Sequence, residues 1–190
     1  MQVKSTLFKE VILLKSKTHI DNRGSFSEQY HRSNFLKETG IEIDFIQDNV
    51  THSKKGVLRG LHYQIHPYAQ SKLVTVIKGT VLDVVVDIRK GSPTFSKHFT
   101  QELSDQNHFQ LFIPRGFAHG YITLSETSIF HYKVDNIYYP RSEGSISPND
   151  PELNIDWVLP ETEWIQSDKD KKHPKLKDAF LFDYNQNLYV

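Results

Sequence analysis

The sequence predicts an all-β sandwich or small barrel carrying one short helix and a charged C-terminal extension packed on it. Three observations carry this. About ten short apolar or alternating runs recur at regular spacing, each closed by Gly, Pro, Asn or Asp. Aromatic residues make up 12% of the chain and are mostly Phe (12) and Tyr (9), types that suit strands. Only Ser33 to Glu38 reads as helix, with Ser33 or Asn34 as N-cap and Gly40 as terminator.

The runs follow in order. Val11 to Leu14 is a buried strand, and Asp21-Asn22-Arg23-Gly24 is a turn. Ser25 to Tyr30 alternates, with Phe26, Glu28 and Tyr30 on one face. Ile41 to Gln47 alternates after the helix and ends in the polar trio Gln47-Asp48-Asn49. Leu73 to Ile77 is a strand, Lys78-Gly79 a turn, and Val81 to Ile88 alternates strictly, placing Leu82, Val84 and Val86 on one face and Val81, Asp83, Val85 and Asp87 on the other. An Asp row on a strand face usually meets solvent, although Asp83 is also placed to line a barrel interior. Phe95 to Leu103, Phe109 to Ile113, Phe117 to Tyr121 and Ser128 to Val134 complete the set. From Asp150 the chain is rich in Pro and charge. Trp157 and Trp164 predict that it packs on the sandwich, and the run Ser167 to Lys172 reads as solvated surface.

Composition sets bounds on function. The 190 residues suit one domain, residues 1–190, with a full core. Lys+Arg and Asp+Glu are equal at 23 each, so nothing argues for nucleic acid or a membrane surface as partner, while a local anion pocket stays open. The absence of cysteine excludes disulfides and thiolate metal sites. The first residues lack the apolar core of a signal peptide, and no apolar run is long enough to span a bilayer, so the expected location is cytoplasmic.

The chemistry concentrates in Gly56 to Gln64 and in Lys72. Arg59 is a permanent forked cation, His62 can take or give a proton, and Lys72 can hold a developing oxyanion. In a regular strand Arg59 and His62 point to opposite faces. Gly60 between them predicts a bulge that turns both toward one cavity. No phosphate-cradling or dinucleotide glycine motif is present, nor a nucleophile elbow. His62, His66 and His119 offer nitrogens for a metal, but Pro67 follows His66 and no acid stands at ligand spacing, so no metal is expected. His, Lys, Tyr and Arg without a nucleophile suit proton abstraction next to a carbonyl. A base takes the proton, a cation holds the enolate, and an acid returns a proton from the far face.

Over about residues 5 to 188 the chain resembles the dTDP-4-dehydrorhamnose 3,5-epimerase family of sugar-nucleotide epimerases. The segments that carry the resemblance include Asp21-x-Arg23-Gly24-x-Phe26-x-Glu28, Gln47-Asp48-Asn49, Leu58-Arg59-Gly60-Leu61-His62-Tyr63-Gln64, Ala69-Gln70-x-Lys72-Leu73-Val74, Ile113-Pro114-x-Gly116-Phe117-Ala118-His119-Gly120, Tyr132-Lys133 and Asn149-Asp150-Pro151. The resemblance implies a cupin-type jelly roll, working without metal or cofactor as a homodimer. The reaction it implies inverts C3 and C5 of dTDP-4-dehydro-6-deoxy-D-glucose. It gives His62 as base with Asp170 as its carboxylate partner, Lys72 as enolate stabiliser and Tyr132 as acid. Tyr138 would stack on thymine. Arg23, Glu28, Gln47, Asp48, Asn49, Arg59, His119, Glu143 and Lys169 would contact substrate, with Arg23 and Glu28 reaching the partner chain's site. Two positions depart from the pattern. His19 stands where the family usually has an aromatic residue, and Ser147-Pro148 where it usually has Trp. The alternatives are a single-centre epimerase of a related 4-keto sugar nucleotide and a non-epimerase cupin, either metal-dependent or sugar-binding.

Overall fold

A computed structural model describes residues 2–190. Fifteen strands are present among them: β1 (Gln2–Lys4), β2 (Ile12–Lys15), β3 (Thr18–Asp21), β4 (Gly24–Ser27), β5 (Gln47–Lys54), β6 (Leu58–Gln64), β7 (Lys72–Lys78), β8 (Thr80–Asp87), β9 (Arg89–Lys90), β10 (His98–Ser104), β11 (Phe109–Ile113), β12 (Phe117–Thr123), β13 (Thr127–Val134), β14 (Glu143–Ser145) and β15 (Phe182–Asp183). The helix α1 (Arg32–Thr39) lies between β4 and β5. No helix of the described residues is long and apolar enough to cross a membrane.

Two antiparallel sheets form the sandwich, in the cupin-like arrangement. One has the order β1-β2-β11-β7-β13-β5 and the other β10-β8-β12-β6-β14. The strict alternation in β8 decides how the layers stack. Val81 and Val85 join Val74, Leu111, Phe117 and Phe130 in a core between the sheets. Leu82, Val84 and Val86 point the other way and are covered by Ile146, Leu153, Trp157, Leu176 and Phe182 of the C-terminal extension. Each such aliphatic side chain contributes about 1.5–3 kcal/mol by leaving water. The extension therefore forms a third layer, as Trp157 predicted, and its indole Nε1 donates to the Pro148 carbonyl at 3.0 Å. On the opposite outer face, Phe35 of α1 packs with Leu14, Leu73 and Phe112.

Several predicted elements move. Residues 41–46 form no strand; Ile43 is buried and Ile41 and Phe45 pack around Phe35, so their alternation reflects side-chain burial on the sheet's outer face without a ladder of its own. The strand begins instead at Gln47, and the polar trio opens it rather than closing the previous one. The helix starts earlier, with His31 at the N-cap and no side-chain cap. Asn34 does not cap because it lies within the first turn of the helix, where its amide Nδ2 donates to Glu28 at 2.7 Å. Gly40 ends the helix as expected, in the left-handed conformation, its N–H donating to the Leu36 carbonyl. The strand from Ser25 stops at Ser27, and the one expected from Phe95 starts at His98. Asp83 and Asp87 are both fully buried. Asp87 accepts from Arg89, Ser92 and Thr94, which makes its burial tolerable.

At Gly60 the bulge is real. The β12 ladder shifts register opposite it, between His119 and Tyr121. Gly60 has φ +130°, and a Cβ there would lie 2.6 Å from Gly120 Cα. Only paired glycines let β6 and β12 approach this closely. With the alternation broken, Arg59 and His62 line the same cavity.

Candidate active site

The cavity measures about 520 Å³ and opens between the two sheets. Thr51 (β5), Arg59 and His62 (β6), Lys72 (β7), Tyr132 (β13) and Asp170 line it. A second lobe of about 310 Å³ shares His62, Lys72, Tyr132 and Asp170 and adds Tyr138, Glu143 and Lys169. The four shared side chains thus stand at the junction of two compartments. His62 projects from the five-stranded sheet, whereas Lys72 and Tyr132 project from the six-stranded one, so base and acid candidates face each other across the gap.

His62 Nε2 lies 3.2 Å from Asp170 Oδ1. Asp170 comes from the C-terminal extension, at the start of a 3-10 turn, Asp170–Lys172. It is 7% exposed, so it does not belong to the solvated charge run around it. Burial pushes its pKa up, but hydrogen bonds from His62, Ser167 and the Gly60 N–H, with the charge of His62, win and hold it at about 2. It is a carboxylate throughout the neutral range. Since Nε2 faces Asp170, the Nδ1 of His62 is the ring nitrogen left to meet a substrate.

Lys72 is held down to about pKa 8 by burial, against the opposing pull of Asp83 and Glu143. It is a cation at neutral pH that needs little help to release a proton. Burial pushes the Tyr132 phenol up, so it stays protonated and able to donate. His119 is shifted down, mainly by burial, and its Nε2 sits 2.9 Å from Asp83 Oδ2. In the second lobe, Glu143 accepts from Tyr138 at 2.7 Å and from Lys169 at 2.5 Å.

Other predicted residues lie apart from this cluster. Gln47 and Asn49 alternate on β5 with Thr51 of the cavity wall, and Asn49 pairs in register with Tyr132. Asp48 belongs to the other face, because side chains alternate, and there it binds His131 and Lys133. Arg23 sits at the tip of the β3–β4 hairpin bound to Asp21, and Glu28 follows that hairpin; neither lines either compartment. His19 is exposed on the same hairpin. His66 lines neither compartment. Sequence reasoning missed Thr51 and Ser167. Ser167 was findable: Ser-x-x-Asp is a capping pattern, and here Ser167 Oγ donates to Asp170 Oδ1 while accepting from the Asp170 N–H.

A sequence model described as dTDP-4-dehydrorhamnose 3,5-epimerase matches residues 5–178. The chain belongs to the dTDP-4-dehydrorhamnose 3,5-epimerase family. It is 45% identical to the dTDP-4-dehydrorhamnose 3,5-epimerase of Shigella flexneri, over 96% of this chain and 99% of that one. The crystal structure of a dTDP-6-deoxy-D-glucose-3,5-epimerase from Legionella pneumophila, in complex with dTDP-4-keto-L-rhamnose, superposes with TM-score 0.93 at 42% identity, covering 97% of this chain and 99% of that one. A 3'-monoepimerase from Streptomyces bikiniensis, in complex with dTDP-quinovose, shares the fold with TM-score 0.84 at 30% identity, covering 93% and 88%. The chain is therefore an epimerase of the isomerase class, and one- and two-centre relatives share its architecture.

Proposed function

We propose that this epimerase inverts C3 and C5 of dTDP-4-dehydro-6-deoxy-D-glucose, giving dTDP-4-dehydro-L-rhamnose. The observation that supports it most is the junction where His62, Lys72, Tyr132 and Asp170 line both lobes. The C4 ketone acidifies the hydrogens on both flanking carbons, so one base serves both centres. His62 Nδ1 takes the proton, and the imidazolium shares its Nε2–H with the Asp170 carboxylate. The Lys72 ammonium holds the enolate oxygen. Tyr132 returns a proton from the opposite sheet; His62 Nδ1 then gives its proton up to solvent and the Tyr132 phenolate takes one from solvent, so base and acid are both restored before the second centre inverts. Arg59 and Lys169 carry charge suited to the diphosphate, and Tyr138 is half-exposed at the outer lobe as a platform for the base. The test is proton NMR of the 4-keto sugar nucleotide with the enzyme in deuterated water. Deuterium at both C3 and C5 is expected. Deuterium at C3 alone would make this a one-centre enzyme like the Streptomyces relative, and none would refute the substrate.

We further propose that the working unit is a homodimer in which the β3–β4 hairpin completes the neighbouring site. Ile20 and Phe26 on that hairpin are 82% and 70% exposed, and among the described residues the Arg23 guanidinium at its tip pairs with Asp21 alone. Apolar side chains so placed are characteristic of an interface. A mixture of Arg23→Ala and His62→Asn proteins, refolded together, should recover exchange that neither has alone. The mixed dimer keeps one site with both His62 and an intact Arg23. No recovery would place Arg23 in its own chain's site or outside catalysis.

A further inference from the structure

The side chain of His173 has no part in the chemistry above. It is 3% exposed, and among the described residues neither ring nitrogen makes a well-aligned hydrogen bond, although the Gly60 carbonyl lies near enough to favour its protonated form. A buried, poorly paired imidazole is costly and rare. Its Nε2 points at Asp170 Oδ1 from 3.6 Å, and its ring meets that of His62 edge-on at 5.0 Å. His62, Asp170 and His173 therefore present two imidazole nitrogens and a carboxylate oxygen within 4.8 Å of one another. Tetrahedral zinc, with bonds of about 2.0–2.2 Å, keeps its ligand atoms roughly 3.3 Å apart. The His62–Asp170 spacing is 3.2 Å and the Asp170–His173 spacing 3.6 Å, close to that value, while the two imidazole nitrogens, within 4.8 Å of each other, would draw together as the metal binds. Two nitrogens and one carboxylate suit zinc, cobalt or nickel and not magnesium or calcium, which take oxygen ligands.

We propose that His62, Asp170 and His173 form an inhibitory site for a borderline divalent cation, zinc above all. The inhibition has a definite chemical origin. A neutral imidazole that binds metal through Nε2 carries its proton on Nδ1. That is the nitrogen that must be bare to take the substrate's proton. Zinc replaces the hydrogen bond between His62 and Asp170 and fixes the base in its unreactive tautomer. The binding stands on the geometry alone; only the inhibition rests on His62 being the base.

Calorimetric titration of chelator-treated protein with zinc chloride, without substrate, tests the binding, and deuterium exchange with and without zinc tests the consequence. One equivalent is expected to bind, and exchange to be lost at saturation. His173→Phe keeps a ring against His62 but offers no ligand. It should exchange deuterium at the wild-type rate and bind zinc more than about 100-fold more weakly, beyond the roughly 10–100-fold typical of losing an outer-shell partner. His173→Gln serves the same comparison should the Phe variant fold poorly. Equal zinc affinity in the variants, or no binding to the wild type, would overturn the site. Zinc bound at this site with exchange undiminished would overturn the inhibition. A protein that exchanges neither hydrogen of the sugar would still give the calorimetric answer.

Discussion

His62→Asn is expected to slow deuterium entry at both C3 and C5 by about 10²–10⁴-fold, the usual contribution of a positioned general base. Asn is the informative replacement. Its amide takes the place of the inner ring nitrogen and offers no base, while Asp170 loses the Nε2 contact but keeps its bonds to Ser167 and Gly60. The pocket's shape survives, so dTDP binding should be nearly unchanged and the loss should fall on kcat. Both centres should fail together, because one base serves both. A variant that lost exchange at one carbon only would require a second base. The wall opposite offers only Lys72 and Tyr132 for that role.

Lys72→Gln is expected to lower kcat by about 10²–10³-fold, the range for removing one oxyanion donor. Its pH signature separates electrostatics from packing. The folded-state pKa of Lys72 is depressed to about 8. The ammonium is therefore present below that value and lost as pH rises through it, and wild-type kcat/KM should fall on the alkaline side of about 8. Lys72→Arg stays charged and should lose this limb while remaining slower than wild type, since a planar fork does not reproduce a compact ammonium. An alkaline limb that persists in Lys72→Arg would belong to another group.

How far the sequence reads correctly depends on what each residue is paired with. Alternation locates β8 and β11 well because both faces of each meet distinct apolar layers, and β13 because Phe130 and Tyr132 face the core while His131 and Lys133 bind Asp48 outside it. It fails at residues 41–46, where the same periodicity buries side chains without a partner strand. It also misses β5 as far as Lys54: Gln47-Asp48-Asn49-Val50-Thr51-His52-Ser53-Lys54 is polar on both sides, since this edge strand has solvent on one face and the polar cavity on the other. Gly60 marked the bend between Arg59 and His62 because no other residue tolerates that backbone. Asp170 is the opposite case. Within its charge run only the Ser167-x-x-Asp170 capping spacing distinguishes it from Asp168, which is exposed, and that spacing speaks of a turn, not of a base's partner. Only resemblance singled it out, and burial beneath a folded tail is what makes the two differ. Arg23 and Glu28 are the remaining case, because a single chain does not bring them to the cavity.

The third layer has a consequence for when the enzyme becomes competent. His62 and Asp170 are 108 positions apart. Asp170 reaches its place because Ile165 bridges to Val57 and the extension's apolar residues cover the five-stranded sheet. The sandwich core between the sheets does not include that extension. Lifting the extension would thus unplug the base from its carboxylate while the barrel stays closed. With His62 and Asp170 in the proposed roles, catalysis should fail in mild denaturant, protease or heat when this outer layer lifts, a local opening that lies below global unfolding. On the proposed mechanism, a nascent protein holding every cavity-facing strand would lack the carboxylate behind its base until the tail has laid itself down.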